Sequence, residues 1–230
     1  MNRELSKAAV AAALALGGSM AHASLVLVSP IDFGGSGLGA VKTVLTIQAT
    51  GNATTETGSV SWNGSSDVVT GDAKTGASQT QTRTLDDLGV TSASELRVVF
   101  NASEATRDPS IQLDDLVVNI FSPTGTTLFT SGAFSGLFFA NTETGTGNSG
   151  FVLAFDATQA AAAQTAAFSG AGWGGNRVGL YASASLVSDG VETFFVANAP
   201  AVPEPGTWAL LGSGLLAFGG VARRKSMHRA

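Results

Sequence analysis

The sequence predicts a mostly β protein, with two sheets stacked as a β-sandwich of jelly-roll or lectin-like type and one Ala-rich helix. Short segments rich in β-branched and aromatic residues recur along residues 41–197, and Gly, Asn, Pro and Thr residues that favour turns separate them. One segment, Asp156–Phe168, is rich in alanine instead. Many short strands with a single helix are typical of stacked sheets, and the sequence contains no repeat of solenoid or propeller period.

The strands are predicted from alternating or β-branched composition, and two turns fix where some of them end. Asn63-Gly64 is a two-residue turn signal, and Ser122-Pro123-Thr124-Gly125 has proline at the second position of a β-turn. The second turn predicts a hairpin between the strands on either side of it. In chain order the predicted strands are Val41–Ala49, Ser59–Trp62, Gln79–Leu85, Leu96–Asn101, Ile111–Phe121, Thr126–Thr130, Gly150–Phe155, Val178–Ala184 and Val191–Ala197.

The Ala-rich segment is predicted to be a helix whose small side chains let it lie close to a sheet. Asp156 or Thr158 is the expected N-cap, because either side chain accepts hydrogen bonds from the first turn of a helix. Gly170 lies just beyond the predicted end, where the left-handed backbone of a C-cap suits glycine.

The first 23 residues are predicted to be a secretory signal peptide. A basic amino-terminal region precedes the apolar run Ala8–Gly18, and Ala21 and Ala23 form an A-x-A cleavage site. We therefore expect Sec export, cleavage by signal peptidase, and a mature chain that starts at Ser24.

The exported body, residues 24–200, is expected to be one domain and lacks three residue types that much site chemistry needs. The sequence has no Cys, and its His and Met residues lie only outside this range, which excludes Ser-His-Asp and Cys-His nucleophiles, zinc sites built on thiolate or imidazole, and disulfides. The body holds fifteen acidic and six basic residues. This balance argues against nucleic acid or anionic lipid as its partner.

The stretch Val202–Lys225 has three parts that together are typical of a membrane-anchored tail. The triplet Pro203-Glu204-Pro205 is extended, because its prolines fix φ and lack backbone donors. Residues 207–222 carry no charge and are predicted to form a short membrane helix. The cluster Arg223-Arg224-Lys225 is then the membrane stop and lies in the cytoplasm by the positive-inside rule. The body is therefore expected on the outer side of the membrane.

These three parts, in this order, resemble the PEP-CTERM sorting tail of exported proteins of Gram-negative bacteria. The resemblance is confined to residues 201–230. It implies that an exosortase, a transpeptidase-like membrane enzyme, acts near the Pro-Glu-Pro triplet while the tail holds the chain in the inner membrane. It also implies transfer to the cell surface or extracellular matrix and an association with exopolysaccharide and biofilm. The protein would then be a substrate of this enzyme and no enzyme itself.

Adjacent carboxylates occur at Asp86-Asp87 and Asp114-Asp115. Neighbouring residues on a strand point to opposite faces, so neither pair by itself supplies the acid and base of a glycosidase. Calcium is a second interpretation, because the loops 67–74 and 106–115 offer carboxylate and carbonyl oxygens. The sequence has no EF-hand pattern, so solvated turn carboxylates are the simpler explanation and no cofactor is assigned.

Three aromatic side chains, Trp62, Trp173 and Tyr181, are candidates for stacking against a sugar ring. Trp173 is the first choice, because it lies in the Gly-rich loop 169–176. The alternative for Trp173 is a packing role, and the alternative for Trp62 is a core position.

Three functions therefore remain open for the body. It is a structural or adhesive matrix component that binds polysaccharide, an extracellular polysaccharide hydrolase that uses carboxylates alone, or a matrix filler without a specific ligand. The distance between two carboxyl groups in a groove separates the hydrolase from the others.

Overall fold

The computed structural model describes residues 25–28, 42–51, 53–76, 78–102, 110–140, 150–188 and 190–198. The predicted signal peptide (1–23) and the tail (201–230) lie outside these residues. The described residues form twelve strands and two α-helices. The strands are β1 Leu25–Val28, β2 Lys42–Ile47, β3 Thr55–Trp62, β4 Asp67–Gly71, β5 Arg83–Thr84, β6 Leu96–Asn101, β7 Ile111–Phe121, β8 Thr127–Thr130, β9 Leu137–Phe139, β10 Gly150–Phe155, β11 Arg177–Ser185 and β12 Glu192–Asn198, and the helices are α1 Leu85–Leu88 and α2 Ala157–Ala167.

The strands form two antiparallel sheets that share one core. The five-stranded sheet has the order β1-β10-β6-β12-β2. The seven-stranded sheet has the order β4-β3-β11-β7-β8, with β5 beside β11 and β9 beside β7. Phe100 and Phe194 of the first sheet stack with ring centroids 4.8 Å apart, and they join Leu113 and Leu180 of the second sheet in a single buried cluster. Burial of this apolar surface between the sheets is the main stabilising contribution to the fold.

The prediction of a mostly β body with one Ala-rich helix is confirmed. β6, β7 and β10 have the predicted bounds. Helix α2 lies within the predicted segment, and the Asp156 carboxylate caps it by accepting a hydrogen bond from the backbone N–H of Gln159 at 2.8 Å. No helix among the described residues is long and apolar enough to cross a membrane, and the predicted span at 207–222 is not one of those residues.

Two local predictions are wrong. The sequence predicts a strand over Gln79–Leu85, but only β5 is strand and the chain then turns into α1. The Thr84 hydroxyl begins this helix by accepting from the backbone N–H of Asp87 at 3.0 Å, and Gly89 ends it with a φ of 65°. Residues 67–71, interpreted as part of a loop, are the edge strand β4, which pairs with β3.

Both predicted turns reverse the chain, and they lie against each other. The loop at Asn63-Gly64 has four residues, 63–66, and not two, because Trp62 pairs with Asp67. In the second turn the N–H of Gly125 donates to the carbonyl of Ser122 at 3.0 Å, and β8 pairs with β7 as expected. Gly64 and Gly125 have φ values of 97° and 89°. A Cβ on Gly64 would lie 2.5 Å from the carbonyl oxygen of Thr124, so glycine is needed here both for the backbone angle and for the close approach.

Candidate functional site

The chain leaves the folded body toward the tail at one end of the five-stranded sheet. β12 ends there at Asn198, and β1 begins there. Val26 pairs with Ala154, and Ala154 pairs with Arg97. Arg97 pairs in turn with Ala197. The start of β1 and the end of β12 therefore lie three interstrand spacings apart, about 14 Å. We name this part of the surface, from the start of β1 to Asn198, the exit end.

The last residue of β12 is tied to the neighbouring loop. The side-chain amide of Asn198 donates to the carbonyl oxygen of Gly89 at 2.6 Å. Gly89 is itself fixed as the C-cap of α1, and its N–H donates to the carbonyl of Asp86 at 3.1 Å. Thus the tail begins from a point that the fold holds in place. The sequence contains a signal for α1, because Thr84 and Asp87 have the spacing of a helix N-terminus, but nothing local links Gly89 to Asn198.

Glu95 is an anionic group that the exit end holds by hydrogen bonds. Its carboxylate accepts from the Thr91 hydroxyl at 2.6 Å and from the backbone N–H groups of Thr91 and Ser92 at 3.2 and 3.1 Å. The hydroxyl of Thr91, with smaller contributions from the other bonds, lowers the pKa of Glu95 below its ordinary value of 4.5. The group is therefore ionised at neutral pH.

Three cations lie near the exit end, and two of them share one carboxylate. Lys42 and Arg83 both form ion pairs with Asp87, the second at 3.5 Å. Arg97 is 3% exposed, and its guanidinium donates to the carbonyl oxygen of Ser94 at 2.7 Å. The carboxylates at this end lie on α1, before β6 and at the start of α2, and they are Asp86, Glu95 and Asp156. With Asp87 these are four carboxylates against three cations, so the described charges of the exit end nearly balance.

Asp114 and Asp115 lie on β7 at a β-bulge. The register between β7 and β11 shifts here, so that Ala184 pairs with Leu113 and Asp114 is the extra residue. The regular alternation expected from the sequence is interrupted, because Leu113 and Leu116 both enter the core. Asp114 is exposed and Asp115 is half-buried. The bulge therefore places the two carboxylates at the edge of the core.

The first acidic loop predicted as a calcium candidate uses its carboxylates for protein hydrogen bonds. The Asp67 carboxylate accepts from the backbone N–H and the hydroxyl of Thr82. The Asp72 carboxylate accepts from the backbone N–H of Thr57 at 2.9 Å. Among the residues that the structure describes, no three His, Cys, Asp or Glu residues are placed to hold a metal ion. Residues 106–109 of the second loop lie outside that part of the chain.

Trp62 is held by contacts that the sequence did not indicate. Its indole N–H donates to the carbonyl oxygen of Pro123 at 2.9 Å, and the Arg177 guanidinium lies over its ring at 4.2 Å from the centroid. Arg177 also donates to the hydroxyl and the carbonyl oxygen of Thr82 at 2.7 and 2.9 Å. These contacts join the ends of β3, β7 and β11, and one face of Trp62 is covered by the cation.

Trp173 and Tyr181 differ in their surroundings. Trp173 is half-buried and packs on the core beside Phe168, with ring centroids 5.5 Å apart. Tyr181 is half-buried on β11 and pairs across the strands with Ser59 and Val117, on the outward face of the seven-stranded sheet. The geometry thus presents Tyr181 on a broad sheet face, whereas a neighbouring ring lies against Trp173.

The outward face of the seven-stranded sheet is rich in hydroxyl groups. The hydroxyls of Ser59 and Thr70 are 2.8 Å apart, and the Thr130 hydroxyl donates to the Asn119 side-chain oxygen at 2.8 Å. Apart from Arg177, the outward residues of β3 and β11 that are not buried are Thr55, Thr57, Ser59, Ser61, Tyr181, Ser183 and Ser185. These seven residues form the hydroxyl face, a surface of hydrogen-bonding groups around one aromatic ring.

A small pocket at the opposite end of the body is too small for a sugar. Its lining includes Ala49, Glu56 and Val187, and its volume is about 10 Å³, the space of one water molecule. The Glu56 carboxylate there is 2% exposed and accepts from the backbone N–H of Ala49 at 2.9 Å.

An acidic folded body, a Pro-x-Pro triplet, an apolar run and a cationic stop define a class of exported proteins that a membrane-anchoring tail holds for sorting. The tail of this protein is a PEP-CTERM protein-sorting motif, whose family model matches residues 201–225. The match confirms the resemblance seen in the sequence and supports an exported protein of Gram-negative bacteria that an exosortase processes. Neither a curated protein nor a solved structure shows significant similarity to the chain.

Proposed function

We propose that this protein is sorted by an exosortase to the cell surface or extracellular matrix, where its body is a structural or adhesive component that binds exopolysaccharide. The observation that carries the sorting is the motif match at residues 201–225. The signal peptide at 1–23 exports the chain, and the segment 207–222 holds it in the inner membrane with the body in the periplasm. The body itself is not an enzyme.

The tail acts through three physical properties. Pro203 and Pro205 keep the triplet extended, which is the conformation that suits a protease or transpeptidase. The apolar run holds this extended segment at the membrane surface, where the exosortase works. The basic cluster Arg223-Arg224-Lys225 prevents the run from passing through the bilayer. Cleavage of the chain at the triplet would then release the body from its membrane anchor.

We further propose that the body is a jelly roll. Its eight main strands form two groups of four, β2-β12-β6-β10 and β3-β11-β7-β8. The chain crosses from one group to the other at every step between consecutive members of these eight strands except from β7 to β8. Such crossings, with neighbours distant in sequence, are the connectivity of two interlocked Greek keys.

The hydroxyl face supports a polysaccharide partner. Hydroxyl side chains donate and accept hydrogen bonds, and the Tyr181 ring offers an apolar surface for a pyranose. The residues of β3 and β11 that define this face carry no charge, and the Asp115 carboxylate of β7 lies beside them, because Asp115 pairs with Ser183. Trp173 remains a second candidate contact, although it packs beside Phe168.

Co-sedimentation with exopolysaccharide of the host tests the body, with the processed protein and its Tyr181 variants in the presence and absence of calcium. We expect saturable binding that Tyr181→Ala weakens several-fold and Tyr181→Phe retains, since phenylalanine keeps the ring. Binding that requires calcium would indicate a calcium site in the acidic loops. Shortening of the polymer would indicate that the body is a polysaccharide hydrolase. Absence of binding would favour a matrix filler without a specific ligand.

The sorting is tested in cells by a pair of proline variants. The double variant Pro203→Ala/Pro205→Ala is expected to accumulate unprocessed in the inner membrane. Pro200→Ala, which changes a nearby proline outside the matched motif, is the control and is expected to be processed normally. Normal release of the double variant would refute the sorting proposal.

A further inference from the structure

We propose that the exit end of the sandwich is the surface that faces the membrane, and that the short link after Asn198 sets the distance at which Pro203-Glu204-Pro205 meets the exosortase. The inference rests on the sorting function proposed above. It adds an orientation of the body and a clearance between body and bilayer, which the tail motif alone does not specify.

Both ends of the body are at this surface. The start of β1 and the end of β12 belong to the same end of one sheet, about 14 Å apart across three strand spacings. If the signal peptide ends at Ala23, it precedes β1 by a single residue. A nascent chain with both apolar segments in the membrane therefore brings this end, and not the opposite one, to the bilayer.

The link after β12 is short, and its starting point is fixed. The amide of Asn198 donates to the carbonyl oxygen of Gly89 at 2.6 Å, which opposes release of the last residue of the strand into the link. From Asn198 the chain reaches Pro203 in five residue steps and Thr207 in nine, at most about 17 Å and about 30 Å. A body of this size has a radius of gyration of about 16 Å, so the link holds the exit end close to the membrane.

The described charges of the exit end nearly balance. Lys42 and Arg83 share the one carboxylate of Asp87, and Arg97 is buried, whereas three further carboxylates are exposed or half-buried. A surface without excess positive charge gains little from anionic headgroups. The length of the link, and not adhesion to lipid, therefore sets how close the body lies to the membrane.

The orientation is measured with single cysteines, which the cysteine-free sequence allows. Ser94→Cys is exposed at the exit end, and Thr50→Cys is exposed beyond the far end of β2. Each is labelled with a fluorophore on the full chain, purified from a host without exosortase and reconstituted into vesicles of phosphatidylethanolamine and phosphatidylglycerol that carry a headgroup quencher. We expect several-fold stronger quenching at position 94 than at position 50.

A spacer variant controls the role of the link. A twelve-residue Gly/Ser insertion after Asn198 adds a mean reach of about 20 Å and is expected to remove most of the difference between the two positions. Equal quenching at both positions in the chain without the insertion would refute the proposed orientation of the body. If the insertion leaves the difference in quenching unchanged, the link does not hold the exit end near the membrane.

The outcomes separate this inference from the sorting proposal, because the fluorescence measurement contains no exosortase. Deletion of residues 199–200 leaves the matched motif intact and draws the triplet toward the body, so we expect slower processing in cells with exosortase. The insertion is expected to be processed at least as fast as the natural chain. One contrary result is that the deletion variant is processed at the natural rate while Pro203→Ala/Pro205→Ala is not. This result would support the sorting proposal and refute the inference that the length of the link controls access of the exosortase to the triplet.

Discussion

The two sheets of the body differ in what lies on their outward faces. On the seven-stranded sheet, β3 and β7 alternate between buried and exposed or half-buried residues, and the outward face is the hydroxyl face. In the five-stranded sheet every residue of β6 is buried, and so are all residues of β12 except Asn198. Val99, Val152 and Phe195 form a second apolar cluster on the outward side, separate from the core.

This difference explains which strands alternate in the sequence. A strand with one wet face needs apolar residues only at every second position, whereas a strand buried on both faces is apolar almost throughout. Leu-Arg-Val-Val-Phe-Asn in β6 has no alternation, and neither has Thr-Phe-Phe-Val-Ala in β12. Within the described residues, the outward cluster has members only from the five-stranded sheet. One sheet thus presents a polar outward surface, and the other an apolar one that is buried.

The largest effect is expected where the two sheets meet. Phe100 is fully buried, stacks on Phe194 at 4.8 Å and approaches Phe139 of the seven-stranded sheet at 5.7 Å. Phe100→Ala should lower the free energy of unfolding by about 3–5 kcal/mol, because it removes the ring and leaves a cavity. Urea unfolding followed by circular dichroism measures this loss. A loss no larger than that of a surface substitution would mean that the sheets do not share one core.

The outward faces are compared directly by one pair of substitutions. Val99 on β6 is fully buried in the outward cluster, and Val117 on β7 is half-buried on the hydroxyl face. Val99→Ala should cost about 2 kcal/mol and Val117→Ala about 0.5 kcal/mol, since the same two methyl groups leave a packed site in one case and a wet one in the other. Equal losses of unfolding free energy in urea would show that the two outward faces do not differ in how tightly these valines are packed.

A smaller loss of stability is expected from a substitution in the connection between the sheets. Helix α2 follows β10 of one sheet and precedes β11 of the other, and Asp156 caps it. Asp156→Ala should cost about 1 kcal/mol, because the N–H of Gln159 loses its acceptor. Thr158, the other cap candidate, is exposed within the helix, and Thr158→Ala should be near neutral. A larger loss for Thr158→Ala in thermal unfolding would reverse the assignment of the cap.

Local signals in the sequence were sufficient for some elements and insufficient for others. The bounds of β6, β7 and β10 follow from apolar composition and flanking turns, and α2 follows from its alanines and its cap. Helix α1 was missed because four residues are too few to show a period. β4 was missed because an edge strand with turn residues at both ends has the composition of a loop. Pairing with β3 decides β4, whereas α1 is fixed by its local caps, Thr84 and Gly89.

The parts of the candidate site also differ in whether the sequence alone predicts them. The sorting tail is contiguous, so residues 201–225 identify it without any knowledge of the fold. The exit end depends on which strands are neighbours: Val26 and Ala197 are far apart in sequence and meet on one row only because β10 and β6 lie between their strands. Composition determines no such order. The hydroxyl face depends on the same kind of information, because the pairing of Tyr181 with Ser59 is a matter of register.

The smallest effect concerns the pH dependence at the start of β6, where the five-stranded sheet meets the exit end. Hydrogen bonds, first of all from the Thr91 hydroxyl, lower the pKa of Glu95 below 4.5 in the folded chain. Folding is therefore favoured by this group above its ordinary pKa, and the contribution disappears as the pH falls from about 4.5 through the folded value. Glu95→Gln should flatten this part of the stability curve, measured by urea unfolding between neutral pH and pH 3. Thr91→Val, which removes the main donor and keeps the carboxylate, should flatten it in part. If Thr91→Val leaves the curve unchanged while Glu95→Gln flattens it, the hydroxyl is not the cause, and the backbone N–H groups of Thr91 and Ser92 hold the carboxylate.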